Sequence, residues 1–484
     1  MNRSEKSAEA VGVACWGRRA EREGVDDDVT LDRARHQKPG RPGRTRQGAG
    51  EAQALHVRDE ARLARDEPQA TGRGGLLEQA LARENLVLAW QRVKANKGSA
   101  GVDGRTISET AVYLKTDWPR LRAELLSGGY RPSPVRQVTI PKPGGGTREL
   151  GIPTVVDRLI QQALLQVLQP LIAPTFSDHS YGFRPGRRAH DAVCQAQRYV
   201  QDGYRVVVDV DLEKFFDRVN HDVLMDRLAK RIDDKAVLRL IRRYLQAGIL
   251  SHGVAMERYQ GTPQGGPLSP LLANVLLDEV DRDLERRGHR FVRYADDLIV
   301  DVRSRKAGER VLRGLRKRFA RLRLKVNEDK TAVASAFGRK FLGFEFWAAP
   351  GGVVKRGVAG KAKAIFKQRI RWLTRRSRGR SLPQTIEQLR AYLLGWKAYF
   401  RLSQTPKVFR ELDEWLRHRL RAIQLKHWKR GKTMYRELLA LGARPEQARR
   451  VAANSRRWWR NSRYELNRLM PVAYFDRLGV PRLS

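Results

Sequence analysis

Cysteine is almost absent from this sequence, and long apolar runs are missing altogether. Among its 484 residues are two cysteines, Cys15 and Cys194, and no Cys-x-x-Cys pair. A disulfide framework and a cysteine-ligated zinc site are therefore excluded. No apolar stretch reaches the roughly 18 residues of a membrane-spanning helix, and the polar N-terminus lacks the apolar segment of a signal peptide. We expect a cytoplasmic protein with no membrane partner.

Acidic residues are scarce relative to basic ones. Lys and Arg number 96 against 53 Asp and Glu, which gives a formal net charge of +43. Such an excess indicates a polyanionic partner, most often nucleic acid. A basic protein of the membrane surface is the alternative, but no amphipathic anchor or lipidation signal stands out. The excess is concentrated in residues 351–484, with 34 basic and 8 acidic side chains, whereas residues 1–75 carry 15 and 13.

Hydrophobic patterning divides the chain. Residues 1–75 have few large apolar side chains and no periodicity, which predicts a disordered extension. Residues 76–104 have apolar side chains at three- and four-residue steps, which predicts a helix. The pattern further predicts strand, Gly turn, strand and helix at 135–168, and a buried strand entering a helix at 204–232. It then predicts a loop entering a long helix at 261–287 and a hairpin at 291–302. Short strands with turns are predicted at 322–333 and 340–347. From about residue 360 onward, the chain is predicted to be helical and basic.

Two adjacent acids, Asp296 and Asp297, stand in the middle of FVRYADDLIVDV (291–302). Their apolar flanks predict strands, so the acids lie at or beside a hairpin turn, where Asn-Gly or Asp-Gly is the ordinary choice. In RVVVDVDLEKFF, Asp209 and Asp211 share one face of a strand because side chains alternate. Converging carboxylates need a cation such as Mg²⁺ between them, and two such ions clamp a phosphoryl transfer. A solvated turn is the alternative for an isolated Asp-Asp pair.

Five sequence blocks follow the order typical of reverse transcriptases. They are IPKPGGGTRELGIP (140–153), SYGFRP (180–185), DVDLEKFF (209–216), TPQGGPLSP (262–270) and YADD (294–297). More narrowly, the chain resembles bacterial group II intron-encoded reverse transcriptase/maturases of the endonuclease-lacking type. The resemblance implies an α+β right-hand polymerase with fingers and palm over 76–346. It also implies an α-helical thumb/maturase domain over 347–440 and a basic nucleic-acid-binding segment over 441–484.

The resemblance also implies the site residues. The catalytic carboxylates that would hold metal are Asp211, Asp296 and Asp297, with Asp209 as a structural neighbour. The implied cofactor is two Mg²⁺ ions, with Mn²⁺ as a substitute. The residues implied to contact the incoming nucleotide are Lys142, Arg148, Phe216, Gln264 and Lys330.

Each nucleotide-contacting residue has a role in the family. Lys142 and Arg148 flank a Gly-rich turn over the triphosphate, where glycines allow close approach and cations match phosphate charge. Phe216 blocks a ribose 2′-hydroxyl, Gln264 contacts the nucleotide, and Lys330 protonates the leaving pyrophosphate. The structural alternatives are that the Gly-rich turn is only a surface turn, that Phe216 is a core residue and that Lys330 is a surface residue. One departure is Glu149, where the family often has Pro. FLGF (341–344) resembles the segment that grips the primer end.

The basic last quarter resembles the family's thumb and maturase domain. LRAYLLGWKAYFRL (389–402) has apolar side chains at helical steps, and SRRWWRNSRYELNRLM (455–470) has aromatics among arginines, which suits stacking and phosphate contact. The cations expected to face a phosphate backbone are Arg390, Lys397, Arg401, Arg417, Arg419, Arg421, Lys426, Lys429 and Arg430.

The predicted function is RNA-directed DNA synthesis, together with binding of a group II intron RNA to assist splicing. We also expect intron mobility by target-primed reverse transcription. The partners are the intron RNA, an RNA template, a DNA primer or target DNA, and dNTPs. Because no cysteine follows Cys194, we expect the nuclease domain of many family members to be absent. The alternatives are an RNA-binding splicing factor with an inactive polymerase, or a reverse transcriptase of a retron or diversity-generating element, which should lack LLGWKAYF.

Overall fold

The computed structural model describes residues 75–141, 147–251, 254–256, 259–376, 379–463 and 465–484. The extension predicted to be disordered lies outside these residues apart from Gly75, and Lys142 lies outside them as well. No helix of the described part is long and apolar enough to cross a membrane.

The α-helices of these residues are numbered in chain order. They are α1 Leu76–Ala80, α2 Arg83–Asn96, α3 Ile107–Ser127, α4 Val155–Ile172, α5 Ala189–Gln201, α6 His221–Ala229, α7 Lys235–Gln246, α8 Ser269–Arg286, α9 Arg305–Arg321, α10 Gly360–Leu373, α11 Leu382–Phe400, α12 Pro406–Trp428, α13 Gly431–Ala440, α14 Pro445–Ala453, α15 Trp458–Asn461, α16 Glu465–Leu469 and α17 Val472–Arg477. Short 3₁₀ turns occur at Ala173–Thr175, Phe215–Asp217 and Pro350–Gly352.

The strands form three sheets within the described residues. Their bounds are β1 Val135–Pro141, β2 Thr147–Ile152, β3 Val206–Val210, β4 Ile249–Ser251, β5 Val254–Met256, β6 Arg290–Tyr294, β7 Asp297–Val302, β8 Ala332–Ser335, β9 Lys340–Phe341, β10 Phe344–Ala348 and β11 Val354–Val358. The strand orders are β2-β1-β4-β5 in the fingers, β6-β7-β3-β8 in the palm, and β11-β10-β9 beyond the palm.

Most of the secondary structure predicted from the sequence is confirmed. The chain forms β1, β2 and α4 within 135–168, the β6–β7 hairpin within 291–302, and helices almost throughout after residue 360. The helix predicted over 76–104 is instead two helices, α1 and α2, because the backbone of Ala82 between them is extended (φ −64°, ψ 144°). The segment 322–333, predicted as short strands with turns, forms an isolated bridge at Val326, a turn and the first two residues of β8.

The palm sheet separates two hydrophobic cores because strand side chains alternate between its faces. One face, which includes Val208 and Val300, packs with α4, α6, α7, α8 and α9. The opposite face, which includes Val207 and Ile299, packs with α5, the third sheet and the helices that follow residue 360. The palm therefore shares one core with the C-terminal helices.

The segment after residue 440 is part of that second core. Leu466, Met470 and Phe475 are fully buried in it together with residues of α11 and α12. Our predicted boundary at 440/441 therefore does not separate a segment with a core of its own.

Two cations that we expected to face a phosphate backbone are buried instead. Arg417 pairs with Asp413 at 2.5 Å and is fully buried. Arg421 is 4% exposed and donates to the backbone oxygens of Met470 and Ser462. The prediction for Arg417 and Arg421 is wrong because these guanidiniums satisfy carbonyls where the C-terminal segment docks on α12, which a helical pattern alone does not reveal.

A buried carboxyl in the palm generates a test of pH dependence. Asp301 lies on β7, opposite Arg290 of β6, and is 2% exposed, and no described group hydrogen-bonds its Oδ2. Burial raises its pKa well above the ordinary 3.8. The folded carboxyl therefore keeps a proton that the unfolded chain releases, so its contribution to stability is greatest below pH 3.8 and falls as the pH rises.

We expect Asp301→Asn to raise the melting temperature at pH 7 by about 2–4 °C or more. The gain should shrink as the pH is lowered toward 4, as measured by thermal unfolding of both proteins across this range. Asp222→Asn is the matched control, because a hydrogen bond from Arg242 lowers the pKa of Asp222. That variant should instead lose stability at pH 7. A pH-independent difference for Asp301→Asn would show that the folded carboxyl is ionised.

Candidate active site

The acids of YADD lie on a tight turn between two palm strands. In the β6–β7 register Tyr294 pairs with Asp297, so Ala295 and Asp296 form a two-residue turn. Ala295 has φ of +58°, the left-handed conformation that such a turn requires. Asp297 is therefore the first residue of β7 and points to the same sheet face as Tyr294.

The strand register brings the second acidic segment to the same place. Val210 of β3 pairs with Leu298 of β7, so the next residues, Asp211 and Asp297, are opposite each other. Opposite residues in an antiparallel pair have Cβ atoms about 4.5–5.5 Å apart. Both carboxylates are buried, at 7% and 6% exposure. The predicted convergence of the two acidic segments is thus a consequence of this pairing.

Backbone bonds and one cation hold Asp211 in place. Its N–H donates to the Thr331 Oγ1 at 3.2 Å, and its carbonyl accepts from the Asn327 N–H at 2.8 Å. The Lys330 Nζ lies 3.8 Å from the Asp211 Oδ2. The predicted Lys330 is therefore at the carboxylate site, where its ammonium offsets the negative charge.

Asp209 has a different partner, as its proposed structural role requires. The Arg339 Nε donates to the Asp209 Oδ2 at 2.9 Å, and the Nη2 forms an ion pair with the same oxygen at 2.8 Å. Burial raises the pKa of Asp209, Arg339 opposes this, and the charge of Asp211 adds to it. Burial and the adjacent Asp297 likewise raise the pKa of Tyr294 to about 12.

Two residues predicted to contact the nucleotide meet between the fingers and the palm. The Arg148 Nε on β2 donates to the Gln264 Oε1 at 2.7 Å, and the Gly151 N–H donates to the Gln264 carbonyl at 3.1 Å. Gly265 has φ of +139°, and a Cβ there would lie 2.5 Å from the Gly151 carbonyl oxygen. The PQGG loop can therefore pack on the finger strand only with glycine at this position.

Phe216 joins the palm to the same loop. Its carbonyl accepts from the Thr262 N–H at 2.7 Å, and its half-buried ring lies 5.1 Å from that of Phe215. Phe215 is only 1% exposed. Of the two adjacent rings, Phe215 is thus a core residue, whereas Phe216 is only partly buried against the same core.

The donor set around Asp211 fits a hard cation. No three His, Cys, Asp or Glu side chains of the described residues are grouped closely enough to hold an ion by themselves. Mg²⁺ characteristically binds one or two carboxylates and completes its shell with water and substrate phosphates. Asp211 and Asp297 could supply two such oxygen ligands, and the Lys330 Nζ, 3.8 Å from the Asp211 Oδ2, already places a positively charged group beside them.

The C-terminal helices reach this site through the FLGF segment. The Tyr399 hydroxyl of α11 donates to the Leu342 carbonyl at 2.9 Å, and a Cβ at Gly343 would lie 3.3 Å from the Phe400 ring. Burial, aided by Tyr294 and Asp297, strongly raises the pKa of Tyr399. The helix of LLGWKAYF therefore supports the segment that resembles a primer grip.

Comparisons with known proteins match both halves of this architecture. The family described as reverse transcriptase (RNA-dependent DNA polymerase) matches residues 140–346. The family described as group II intron, maturase-specific domain, matches residues 363–442. The second match favours a group II intron protein over a reverse transcriptase of another retroelement.

Similar proteins agree with these matches. Protein YkfC of Escherichia coli (strain K12) is 33% identical over 299 residues, which cover 53% of this chain and 78% of YkfC. Group II intron-encoded protein LtrA of Lactococcus lactis subsp. cremoris is 29% identical over 343 residues, which cover 57% of each protein. The chain belongs to the group II intron-encoded reverse transcriptase/maturases. It is thus an RNA-directed DNA polymerase joined to a maturase domain, the domain associated with splicing assistance.

A solved structure is also similar. A chain of a partial Cas6-RT-Cas1–Cas2 complex matches with a TM-score of 0.35 and 26% identity, over 51% of the reverse transcriptase described here and 43% of that chain.

Sequence reasoning did not identify the residues that support the acids of this reverse transcriptase. Arg339, the partner of Asp209, stands 130 positions along the chain from it. A charged residue inside a strand signals that a partner must exist, because a buried charge without one is costly, but not which residue it is. Asn274, Asp278 and Asp281 recur at helical steps in the otherwise apolar α8, and this polar stripe was an overlooked signal.

The position of Phe216 predicts how the enzyme selects its sugar. We expect Phe216→Val to raise rNTP incorporation relative to dNTP by about tenfold or more, because removing ring volume opens space for a 2′-hydroxyl. The measurement is single-nucleotide primer extension with each nucleotide. Phe215→Val is the control: it should cost about 2 kcal/mol or more of stability and leave the rNTP/dNTP ratio unchanged. An active Phe216→Val enzyme with the original ratio would show that another residue excludes the hydroxyl.

Proposed function

We propose that this chain extends a DNA primer on an RNA template with Asp211, Asp296 and Asp297 as its catalytic carboxylates. The observation that carries the proposal is the β3–β7 register, which puts Asp211 opposite Asp297 beside the YADD turn. Asp211, Asp296 and Asp297 would hold two Mg²⁺ ions, or Mn²⁺ as a substitute. Such ions stabilise the charge that develops when a primer 3′-hydroxyl displaces pyrophosphate from a dNTP.

The remaining site residues bind the nucleotide and handle the leaving group. Arg148 and Gln264, which are hydrogen-bonded to each other, lie where the fingers meet the PQGG loop and would contact the incoming dNTP. Phe216 would limit space at the sugar. Lys330, whose Nζ lies 3.8 Å from the Asp211 Oδ2, would give a proton to the leaving pyrophosphate. Lys142 lies outside the described residues, so its triphosphate contact stays a sequence prediction.

The second proposed activity is binding of a group II intron RNA by a cationic strip on α10, α12 and the residues just after α10. We define this strip as Lys367, Arg371, Arg376, Arg419 and Lys426. It surrounds two half-buried indoles: three of its cations lie within 5.8 Å of the Trp415 ring centroid, and Arg376 and Lys426 lie within 5.7 Å of that of Trp458. Clustered cations beside aromatic rings favour a phosphate backbone as partner.

Electrostatics within the strip support an anionic ligand. Burial, together with the neighbouring Arg376 and Arg371, lowers the pKa of Arg419 to about 10. Arg419 is anchored by donating to the Thr374 Oγ1 at 2.7 Å, and Lys426 donates to the Arg376 carbonyl. The like charges are thus held close together at a repulsive cost, which a phosphate would relieve.

Target-primed mobility follows from the same two surfaces. A chain that holds the intron RNA on the cationic strip and a primer 3′ end at FLGF can copy that RNA into DNA. Because α11 contacts FLGF directly and shares one hydrophobic core with α10 and α12, the proposed RNA-binding helices and the primer-grip-like segment pack together.

Two isosteric substitutions that remove negative charge should separate the two activities. Asp296→Asn with Asp297→Asn keeps the size of the turn residues and removes the negative charge that holds metal. Extension of oligo(dT) on poly(rA) should fall to background, at least about 10³-fold, because the main charge stabilisation is lost. Splicing of the cognate intron in vitro at low Mg²⁺ should persist, because the cationic strip is intact. Primer extension by the double variant would place the metal site elsewhere, and failed splicing despite normal RNA binding would make the activities inseparable.

The RNA-binding strip is best tested by point substitutions, because deleting the C-terminal quarter would open the core it shares with the palm. We expect Arg371→Gln/Arg376→Gln to weaken binding of intron RNA. It should also reduce the magnitude of the slope of log affinity against log salt by about 0.7–0.9 for each lost phosphate contact. Arg310→Gln/Arg313→Gln on α9 removes the same net charge from exposed palm positions and serves as control. Equal effects of the two double variants would mean that net charge, and not this strip, binds the RNA.

A further inference from the structure

A buried ion pair lies directly behind the YADD turn. Arg293, on β6, is 1% exposed and its partner Asp281, on α8, is fully buried. The Arg293 Nε donates to both carboxylate oxygens, at 2.8 and 2.9 Å, and the Nη2 donates to Oδ2 at 2.5 Å. Taking both charges out of water is costly, so a site that keeps them needs good geometry and further hydrogen bonds.

The remaining guanidinium hydrogens reach the turn and its supports. The Nη1 donates to the Ala295 carbonyl at 2.9 Å and to the Asn274 Oδ1 at 2.9 Å, and the Nη2 donates to the Ser180 Oγ at 2.8 Å. Ala295 is the residue whose left-handed backbone turns the chain between Tyr294 and Asp297. One side chain therefore fixes the carbonyl at the point where the acids are oriented.

The backbone around Arg293 also forms hydrogen bonds with the loop behind the turn. Its N–H donates to the His179 carbonyl at 2.9 Å, and its carbonyl accepts from the Tyr181 N–H at 2.8 Å. Gly182 packs so tightly that a Cβ there would lie 2.2 Å from the Ala295 nitrogen, and its carbonyl accepts from the Asn274 Nδ2 at 2.8 Å. The SYGF loop and α8 thus hold the turn from behind, and Arg293 donates hydrogen bonds to both.

We propose that Arg293 is a positioning residue for the metal-binding turn, acting through the Ala295 carbonyl. The proposal rests on the proposed function, since it assumes that Asp297 and Asp211 hold the metal. Arginine suits this role because its planar fork donates to Asp281, Asn274, Ser180 and the turn at once, whereas lysine has a single ammonium. Replacing a buried ion pair by apolar residues is often neutral for stability, so geometry and stability can be tested apart.

Two variants and one control test the role. Arg293→Met/Asp281→Val removes the pair at a similar buried volume and leaves no unpaired carboxylate. Arg293→Lys keeps a charge beside Asp281 but loses the fork. The control Arg318→Met/Asp283→Val removes another pair of α8, with 2.6 Å between Nη2 and Oδ1, that lies away from the turn.

The measurements are the melting temperature, Mn²⁺ binding to the protein alone by electron paramagnetic resonance, and kcat and KM for dNTP in primer extension. In both Arg293 variants we expect Mn²⁺ affinity and kcat to fall about tenfold or more, as for residues that orient metal ligands. The KM for dNTP should stay unchanged, because Arg148 and Gln264 are untouched. The control should change the melting temperature only.

Several outcomes would overturn this role. One is a folded Arg293 variant with the Mn²⁺ affinity and kcat of the original protein, and another is a control that weakens Mn²⁺ binding equally. Failure of both Arg293 variants to fold beside a folded control would make the pair purely structural. If Asp296→Asn/Asp297→Asn binds Mn²⁺ like the original protein, the metal site itself is wrong, and the role of Arg293 fails with it.

Discussion

The catalytic half of this protein depends on holding like charges against each other. Asp211, directly after β3, lies opposite the first residue of β7, Asp297, when the β3–β7 register is continued by one residue, and Asp209 lies on the same face. A β-sheet accepts such an arrangement only if something offsets the repulsion. Backbone pairing of β3 with β7 and β8 fixes the acids, Lys330 and Arg339 supply local positive charge, and a substrate-bound metal would supply the rest.

The polymerase palm and the maturase helices share one hydrophobic core. The palm face that carries the acids packs into a core that continues through α11 and α12 to the last described residues. Tyr399 and Phe400 lie directly against Leu342 and Gly343, so the segment that resembles a primer grip rests on a helix of the maturase domain. A ligand that shifts α11 would therefore also shift the segment that resembles a primer grip, because the two are in direct contact.

Much of this architecture was predictable because it depends on local patterns. The alternation in RVVVDVD predicts one strand, the short apolar flanks of YADD predict two more, and the family motifs then order the fingers, palm and thumb. The sequence could not show which distant residues meet. The pairing of Asp209 with Arg339 and of Arg293 with Asp281 depends on strand order and helix docking. For the same reason, the exposure of Arg417 and Arg421 was predicted wrongly: an amphipathic pattern cannot tell a solvated cation from one that satisfies carbonyls in a docked segment.

The shared core has a consequence for how such proteins can change over time. The proposed chemistry of DNA synthesis depends on a few polar atoms around one turn. The interface between the palm and the maturase helices is instead a broad apolar contact. Losing an acid would leave the core packed and would even remove a source of repulsion. Losing the palm itself would expose the apolar surface that the maturase helices bury against it. Descendants that abandon polymerisation but retain RNA binding should therefore keep the whole palm as a scaffold, with its acids free to drift.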